Sequence, residues 1–303
     1  GEEQAVFRKV SVFRGGFTRE GAEHVAGATL AILASLVDKS LVQVNASGRY
    51  DLHELLRQYA AAKLRDAGEE NTTIQRHGDY FLRLAEGAEA HAFGREQVTW
   101  FDRVEADLDN FRVALTRLEA HETGLRLAAA LGWFFSERTY WNEGLDWLER
   151  LLAANPDAPA SLRAKALHSA GALAGLLEDE PHTRALCEQS LTLARTVDDR
   201  WNIAWALGHL GNYIISDADE SAALLEESLA LFRELGDTMG IAHALGRRAW
   251  KAIHEQRDYA YGRVLLEEGA ILTHEAGDKV LTAWLQYFMG LIACLQDHDL
   301  LQA

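Results

Sequence analysis

The chain has 303 residues, of which 48% are hydrophobic and 25% charged, with three prolines and a formal net charge of −16. This length suffices for one large domain or two to three ordinary domains. No apolar run approaches the roughly 18 residues of a membrane helix, and no signal peptide opens the chain, which predicts a cytoplasmic protein without membrane contact. The chain begins with Gly and ends within a helical pattern, as expected of a fragment of a longer protein.

The negative charge is unevenly distributed along the chain. Residues 1–68 contain nine Lys and Arg against eight Asp and Glu, a balance of +1, whereas the remaining residues carry −17. An acidic surface repels phosphate backbones. Residues 69–303 are therefore poor candidates for nucleic acid binding.

Residues 1–68 are predicted to form a winged-helix domain, because they are typical of two helices, a hairpin and a third helix in that order. Thr18 and Thr29 are candidate N-caps of the first two helices. β-Branched and apolar residues flank the turn NASG at positions 45–48, which indicates a β-hairpin. The third helix lies in YDLHELLRQYAAAKL, and its apolar stripe, expected to face the core, is Leu52, Leu55, Leu56 and Tyr59.

Residues 69–158 are predicted to form a helical linker bundle that ends at Asn155-Pro156. Two of its segments, 98–118 and 122–138, are each predicted to be one continuous helix. Asp107 and Asp109 lie two residues apart in the first segment and point in different directions. Both are interpreted as solvated surface carboxylates.

Residues 159–303 contain an internal repeat. The segments ALCEQSLTLAR (185–195), ALLEESLALFRELGD (223–237) and VLLEEGAILTHEAGD (264–278) align, with equivalent small residues 38 to 41 residues apart. This pattern predicts an α-solenoid of helix pairs, whose units stack because none can bury its apolar face alone. The sequence pattern and its spacing resemble tetratricopeptide repeats of slightly long period, although the prolines at unit ends are missing. The array is expected to continue beyond residue 303.

The tetratricopeptide resemblance implies which residues face the concave inner wall, because the first helix of each pair lines it in that family. The resulting positions are rich in Trp, His and Tyr, which supply contact area with a polar tip and favour a binding surface. Packing between units is the alternative for any single residue. The predicted ligand-binding or partner-binding residues are His168, Trp205, Asn212, His243, Trp250, His254, Trp284 and Tyr287. Ile215 and Ile253 are predicted to lie one turn deeper, beside His254.

The first 68 residues also resemble the winged helix that follows the nucleotide-binding module in STAND-class signalling ATPases. The segments that carry this resemblance are LVDKSLV, GRY and LHELLRQYA. This class includes bacterial transcription regulators of the maltose-activator type and the NB-ARC immune receptors. Two later segments, EADLDNFRVAL and LGWFFSERTYWNEGLDWLERLLA, resemble the helical region between winged helix and repeats in bacterial members.

The resemblance implies a role for one histidine. Leu52-His53-Glu54 stands where NB-ARC receptors have Met-His-Asp, and the histidine of that motif reaches the β-phosphate of bound ADP. The implied role of His53 is therefore nucleotide sensing, performed only together with the ATPase module, which this chain lacks. Leu for Met and Glu for Asp are departures from the motif.

No motif for catalysis or metal binding is present. The sequence contains no G-x-x-x-x-G-K-[ST] loop, no H-E-x-x-H, no C-x-x-C and no G-x-S-x-G. We therefore predict no enzyme activity, no metal and no cofactor in this chain, while ADP or ATP is implied for the parent protein. Cys187 and Cys294 lie in apolar helical contexts and are expected to be buried, reduced thiols.

These observations favour a sensor and regulatory fragment of a STAND-class ATPase. An activating protein, peptide or small molecule would bind the solenoid, and the winged helix would relay this to the parent's own ATPase module. One alternative is a constitutive scaffold for protein–protein interaction. Another is a DNA-binding winged helix, against which the single lysine of TLAILASLVDKS argues. The fragment is expected to be a monomer.

Overall fold

The computed structural model describes residues 1–214 and 216–302, which are almost entirely helical. Its N-terminal part combines short helices with one antiparallel hairpin. The helices are α1 (Glu2–Lys9), α2 (Arg19–Ala26), α3 (Leu30–Asp38) and α4 (Glu54–Asp66), and the strands are β1 (Gln43–Val44) and β2 (Tyr50–Asp51). A short 3₁₀ turn at Val10–Val12 follows α1. The order of α2, α3, hairpin and α4 is the one that the sequence predicts.

Side chains near the ends of these elements hold the backbone in place. Thr18 Oγ1 accepts a backbone hydrogen bond at 3.0 Å at the start of α2, and Thr29 Oγ1 accepts one at 3.3 Å at the start of α3. Such caps satisfy donors that have no partner in the first helical turn. In the hairpin turn, Asn45 Oδ1 accepts from the backbone N–H groups of Ser47 and Arg49. Both predicted N-caps and the predicted hairpin are therefore present.

Helix α4 packs with a different side from the one that its apolar stripe predicts. Leu52 precedes the helix and is buried, but Leu55 and Tyr59 are 70% and 58% exposed. Ala60 and Leu64 form the buried face, which packs against α1 and the 3₁₀ turn. The expectation that Leu55 and Tyr59 face the core is therefore wrong, because the helix carries two apolar stripes and the later one is used.

The middle of the chain is a bundle of six helices. They are α5 (Glu70–Ala90), α6 (Gln97–Ala106), α7 (Leu108–Arg117), α8 (Glu122–Ala130), α9 (Gly132–Glu137) and α10 (Trp141–Ala154). The two segments that were expected to be continuous helices are each divided, at Asp107 and at Leu131. The halves still share their main neighbours, because α6 and α7 both pack on α5, and α8 and α9 both pack on α5 and α10.

The division at Asp107 coincides with a buried polar cluster. Asp107 is 4% exposed, and its carboxylate accepts hydrogen bonds from both terminal nitrogens of Arg49, at 2.5 and 3.1 Å. Asn110 Nδ2 donates to the same carboxylate at 2.9 Å. The interpretation of Asp107 as a solvated carboxylate is wrong because its partner Arg49 comes from the hairpin, 58 residues away. Asp109, whose side chain is 59% exposed, is solvated as expected.

The rest of the chain is a series of antiparallel helix pairs. The helices are α11 (Ala160–Leu176), α12 (Glu180–Thr196), α13 (Arg200–Tyr213), α14 (Ala218–Leu235), α15 (Thr238–His254), α16 (Tyr259–Ala276) and α17 (Lys279–Gln302). Each helix packs mainly against the preceding and the following one. The α-solenoid and the mainly α fold class are thereby confirmed.

Equivalent contacts recur from one helix pair to the next. Ser190 Oγ donates to the carbonyl oxygen of Ala164, and Ser228 Oγ donates to that of Ala204, both at 2.7 Å. At Gly171 the helices approach so closely that a Cβ atom would lie 2.5 Å from the sulfur of Cys187. Gly171 and Gly211, two of the repeated small residues of the sequence, therefore mark close helix contacts.

The two cysteines differ in their surroundings. Cys187 is fully buried, as expected, and burial raises the pKa of its thiol to about 12. Cys294 is exposed, so the expectation that it is buried is wrong. Because Cys294 follows the buried Ile292 by two residues, it lies on the outward side of α17.

One apolar core runs through the N-terminal part, the middle bundle and the first helix pair of the solenoid. Phe13, Phe17, Phe81 and Phe111 form part of this core, with ring centroids 4.8 to 6.3 Å apart along the series. A second core joins α13 to α17 and is contacted by Phe93 from the middle bundle. The chain therefore passes from hairpin to bundle without a break in apolar packing.

The buried Arg49–Asp107 pair gives a test of this packing. Replacing Asp107 with Ala leaves a largely buried guanidinium without its carboxylate, so we expect the free energy of unfolding to fall by about 3 kcal/mol. Asp109→Ala is the matched control, because this exposed carboxylate pairs with Arg112 and its loss should cost less than about 1 kcal/mol. Urea denaturation followed by circular dichroism measures both. Equal losses would contradict the assignment.

Candidate ligand-binding cavity

The loop between α5 and α6 packs against α13, α15 and the start of α17. The ring of Phe93 lies 4.9 Å from Trp133 and 5.0 Å from His243, measured between ring centroids. The next residue, Gly94, donates its backbone N–H to Asp278 Oδ2 at 2.8 Å. These partners are 184 residues apart in the chain. The loop thus connects the middle bundle directly to the start of α17.

This closure leaves a cavity of about 740 Å³ between the middle bundle and the repeats. A volume of this size lies within the range of about 300–1,000 Å³ that is usual for small-molecule sites. Its aromatic lining consists of Phe93, Trp133, Tyr213, Trp250, Trp284 and Phe288. Its charged lining consists of Glu137, Glu178, Glu180, Arg247 and Asp278. The cavity therefore combines apolar walls with a small number of charged groups.

A second cavity, of about 440 Å³, shares Phe93 and Trp133 with the first. Trp201 and Trp205 also line it, and Trp201 Nε1 donates to Asp237 Oδ2 at 3.0 Å. The indole N–H of Trp205 is buried and has no hydrogen-bond acceptor within the described part of the chain. The aromatic side chains therefore form a partition between two cavities.

Four of the eight predicted inner-wall residues line the larger cavity. They are Asn212, His243, Trp250 and Trp284, contributed by α13, α15 and α17. Trp205 lies at the smaller cavity and is only 2% exposed. The structure thus brings these five side chains together, while their role in binding stays a prediction.

The other predicted residues lie elsewhere. His168 is 3% exposed, its Nε2 lies 3.1 Å from Asn202 Oδ1, and it borders neither cavity. His254 is exposed and stacks on Trp250, and Tyr287 is 65% exposed beside Phe288. Counting repeat positions placed His168 and Tyr287 on the inner wall and His254 one turn deeper. The structure instead buries His168 and directs the other two away from the cavities.

Three further residues were singled out in the sequence: Ile253, Ile215 and His53. Ile253, predicted one turn deeper than the wall, is 1% exposed and belongs to the second apolar core. Ile215 lies outside the described residues. His53, the predicted nucleotide sensor, is exposed at the start of α4, and its Nδ1 accepts from Leu55 N at 3.4 Å.

Sequence reasoning missed several cavity residues. Arg247 lies one turn after His243 on α15, so helical spacing alone could have added it to the predicted wall. Phe93, Trp133 and Glu137 come from the middle bundle, where no repeat pattern gives a register. Their approach to the repeats depends on the loop contact with Asp278, which no local pattern indicates.

Arg247 is the cationic side chain of the cavity wall. Its Nη1 donates to the carbonyl oxygen of Gly208 at 3.3 Å and to Nδ1 of His209 at 2.9 Å. Burial lowers the pKa of Arg247 from its usual range. Burial, with the nearby Arg247 charge, also lowers the pKa of His243 to about 3, so this imidazole is neutral at pH 7. The positive charge therefore lies among neutral histidines.

Glu137 supplies negative charge to the same cavity. Burial raises the pKa of Glu137, the carboxylate of Asp278 adds to this rise, and Arg247 opposes it. Asp278 itself is 1% exposed and also caps α17 by accepting from Leu281 N at 2.8 Å. The cavity therefore holds one cation and several carboxylates in a surrounding of low polarity.

This arrangement matches a known architecture. A Signal Transduction ATPase with Numerous Domains (STAND) protein with a tetratricopeptide repeat sensor, from Pyrococcus horikoshii, aligns with a TM-score of 0.52 at 16% sequence identity. The match covers 96% of this chain and 48% of that one. The chain has the fold of a STAND protein with a tetratricopeptide repeat sensor. The resemblance found in the sequence is confirmed at the level of fold.

Curated relatives with a similar sequence are longer proteins. Two are named "Putative HTH-type transcriptional regulator", from Mycobacterium tuberculosis and Mycobacterium bovis, and each is 33% identical over 230 residues, covering 69% of this chain. The chain spans about a quarter of their length, 26%. No family model matches the chain. Among the described helices of this STAND fold, none is long and apolar enough to cross a lipid bilayer.

The buried histidines predict how stability depends on pH. The pKa of His168 falls to about 3 in the fold because of burial, so the folded chain stays neutral there while the unfolded chain binds a proton below about pH 6.5. The contribution of this neutral histidine to the free energy of unfolding is therefore fully present above that pH. It is lost as the pH falls, by about 1 kcal/mol per pH unit per histidine between pH 6 and pH 5. Urea denaturation across this range should give a smaller slope for His168→Asn than for wild type.

The control for this series is His121→Asn, because His121 is exposed at the start of α8. It should keep the slope of the wild type. A wild-type free energy of unfolding that does not change between pH 6 and pH 5 would contradict the neutral state of the buried histidines.

The contact of the loop with Asp278 predicts that the loss of two helix-capping carboxylates destabilises the fold by different amounts. Asp278→Ala removes both the cap of α17 and the bond to Gly94, whereas Asp258→Ala removes only the cap of α16. We expect a cap to contribute about 1 kcal/mol, so Asp278→Ala should cost at least that much more than Asp258→Ala. Thermal denaturation compares them. Equal costs would show that the Gly94 contact does not stabilise the fold.

Proposed function

We propose that this chain is the sensor and relay part of a signal-transduction ATPase. The repeats bind an activating ligand in the cavity of about 740 Å³, and the N-terminal winged helix transmits the event to a nucleotide-binding module of the parent protein. The observation that supports this most is that one cavity is lined from both sides, by the middle bundle and by the repeats. The relatives named as transcriptional regulators agree with a regulatory output of the longer protein.

The two-sided lining gives a physical route for the signal. Phe93 and Trp133 come from the bundle, whereas Trp250 and Trp284 come from α15 and α17. A ligand that contacts both sides binds more tightly when they are at one particular separation. It therefore shifts the population towards that arrangement of the bundle and the repeats. The bundle shares its core with the winged helix, so the shift reaches the N-terminal part.

The winged helix carries an open surface that fits the relay. Leu55 and Tyr59 lie one turn apart on α4, and both are largely exposed. His53 lies at the start of the same helix, with Nδ1 used as a cap. Its Nε2 has no hydrogen bond within the described residues, so this nitrogen is free to reach a nucleotide phosphate. We propose that the ATPase module packs on this apolar face and that His53 contacts its ADP.

The exposed surface of α3 argues against DNA binding by this winged helix. A recognition helix presents basic or amide side chains to the groove. The exposed side chains of α3 are Leu30, Ala31, Ala34 and Asp38. Lys39, at its end, forms an ion pair with Glu3. A transcriptional role of the parent protein would therefore require a different DNA-binding segment.

A ligand screen on this chain tests the sensor function. Compounds that bind the folded state raise the melting temperature, by an amount set by their concentration relative to Kd. For a compound found in this way, Trp250→Ala and Trp284→Ala should each weaken binding at least about tenfold, because each removes an aromatic wall. Tyr287→Ala is the matched control, since Tyr287 shares α17 with Trp284 but points away from the cavity. Unchanged affinity in both Trp variants would favour the scaffold alternative.

The relay requires the parent protein with its ATPase module. His53→Ala there should release ADP faster and give activity without ligand, because a contact that favours the resting state is lost. His121→Ala, an exposed histidine of the bundle, should behave as wild type. Retention of ADP measured with a fluorescent nucleotide analogue distinguishes the two. Unchanged retention in His53→Ala would rule out the nucleotide contact.

A further inference from the structure

Arg247 has hydrogen-bonding capacity that the protein does not use. A guanidinium carries five N–H donors, and only Nη1 has acceptors here, Gly208 O and His209 Nδ1. Within the described residues, Nε and Nη2 donate to no group and no carboxylate forms a salt bridge with this side chain. A half-buried cation that no carboxylate of the described residues contacts directly is costly. An anionic group that entered the cavity would offset that cost and fit the planar fork of donors.

The carboxylates that line the cavity disfavour a ligand that carries only negative charge. Glu137 and Glu178 line it, and neither forms a salt bridge within the part of the chain that is described. A phosphate or dicarboxylate at Arg247 would be repelled by these carboxylates. A protonated amine placed near them would be attracted. The charge pattern therefore fits a ligand with one anionic and one cationic group.

The aromatic walls and the volume define the rest of the ligand. Trp133, Trp250 and Trp284 can contact apolar side chains, and their ring faces also attract an ammonium group. A cavity of about 740 Å³ has room for a drug-sized molecule, well above a single amino acid. The ligand therefore needs bulky apolar groups between its two charged ends.

We propose that the cavity binds a short peptide with free termini and bulky apolar side chains. Its carboxylate binds Arg247, its ammonium group faces Glu137, and its side chains lie against Trp250 and Trp284. This inference rests on the proposed sensor function and specifies the class of ligand that the sensor recognises. Arg247 and Glu137 then determine specificity for the two termini, and the tryptophans provide most of the contact area.

Three dipeptides that differ at one terminus test the proposal on the whole chain. The probe is leucyl-phenylalanine, compared with its C-terminal amide, which lacks the carboxylate, and its N-acetyl form, which lacks the ammonium group. Isothermal titration calorimetry should give saturable binding of the free dipeptide, and about 10-fold to 100-fold weaker binding of each blocked form. Equal affinity for the free dipeptide and its amide, or no binding of the free dipeptide, would overturn the proposal.

Variants assign each preference to one side chain. In Arg247→Gln the free dipeptide should lose its advantage over the amide, whereas in Glu137→Gln it should lose its advantage over the N-acetyl form. Arg195→Gln is the control, because Arg195 is exposed on α12 outside the cavity and should leave both preferences unchanged. Arg247→Lys keeps the charge without the fork and should give an intermediate preference. Preferences that survive in both Gln variants would contradict the assignment.

The outcome separates this inference from the sensor function. If the dipeptides fail to bind but another compound stabilises the chain and requires Trp250, the sensor function stands and the peptide class is wrong. If no compound in the screen depends on Trp250 or Trp284, the sensor function itself fails. The blocked dipeptides need no substitution, so the comparison on the wild-type chain remains decisive even where Arg247→Gln does not fold.

Discussion

The cavity depends on one contact, that of the α5–α6 loop with the inner wall of the repeats. In a solenoid each unit contacts its neighbours, and the inner wall is an open groove. Here Phe93 fills part of that groove, and Gly94 is held by the buried carboxylate of Asp278. The loop narrows the groove to a cavity that has aromatic walls on two sides. It also makes the bundle and the repeats share one surface.

Most of the fold could be predicted from local patterns. Thr18 and Thr29 cap their helices as expected, because a cap involves only the residues of one turn. The solenoid period could be read because each unit repeats its own close contacts, such as that of Gly171 with Cys187. The failures concern residues with distant partners. Asp107 divides a helix that looks continuous because Arg49 reaches it from the hairpin.

The candidate site was predictable only in part, for a related reason. Repeat counting identifies one face of each first helix, and the structure has four residues of that face, Asn212, His243, Trp250 and Trp284, at the larger cavity. It could not show that Phe93 and Trp133 cover Trp205, with ring centroids at 6.3 and 4.8 Å. Nor could it show that α4 turns Leu55 and Tyr59 outward, because both of its stripes are apolar.

The long separation of Gly94 and Asp278 in the chain also affects how the molecule folds and how it opens locally. Helix pairs join residues close in sequence and form quickly, whereas bringing together groups 184 residues apart requires most of the intervening chain to be ordered first. We therefore expect this contact to form late in folding. It is also a contact that can open while every helix pair remains intact. The cavity can thus change its width by a small local opening, at far lower cost than unfolding a repeat.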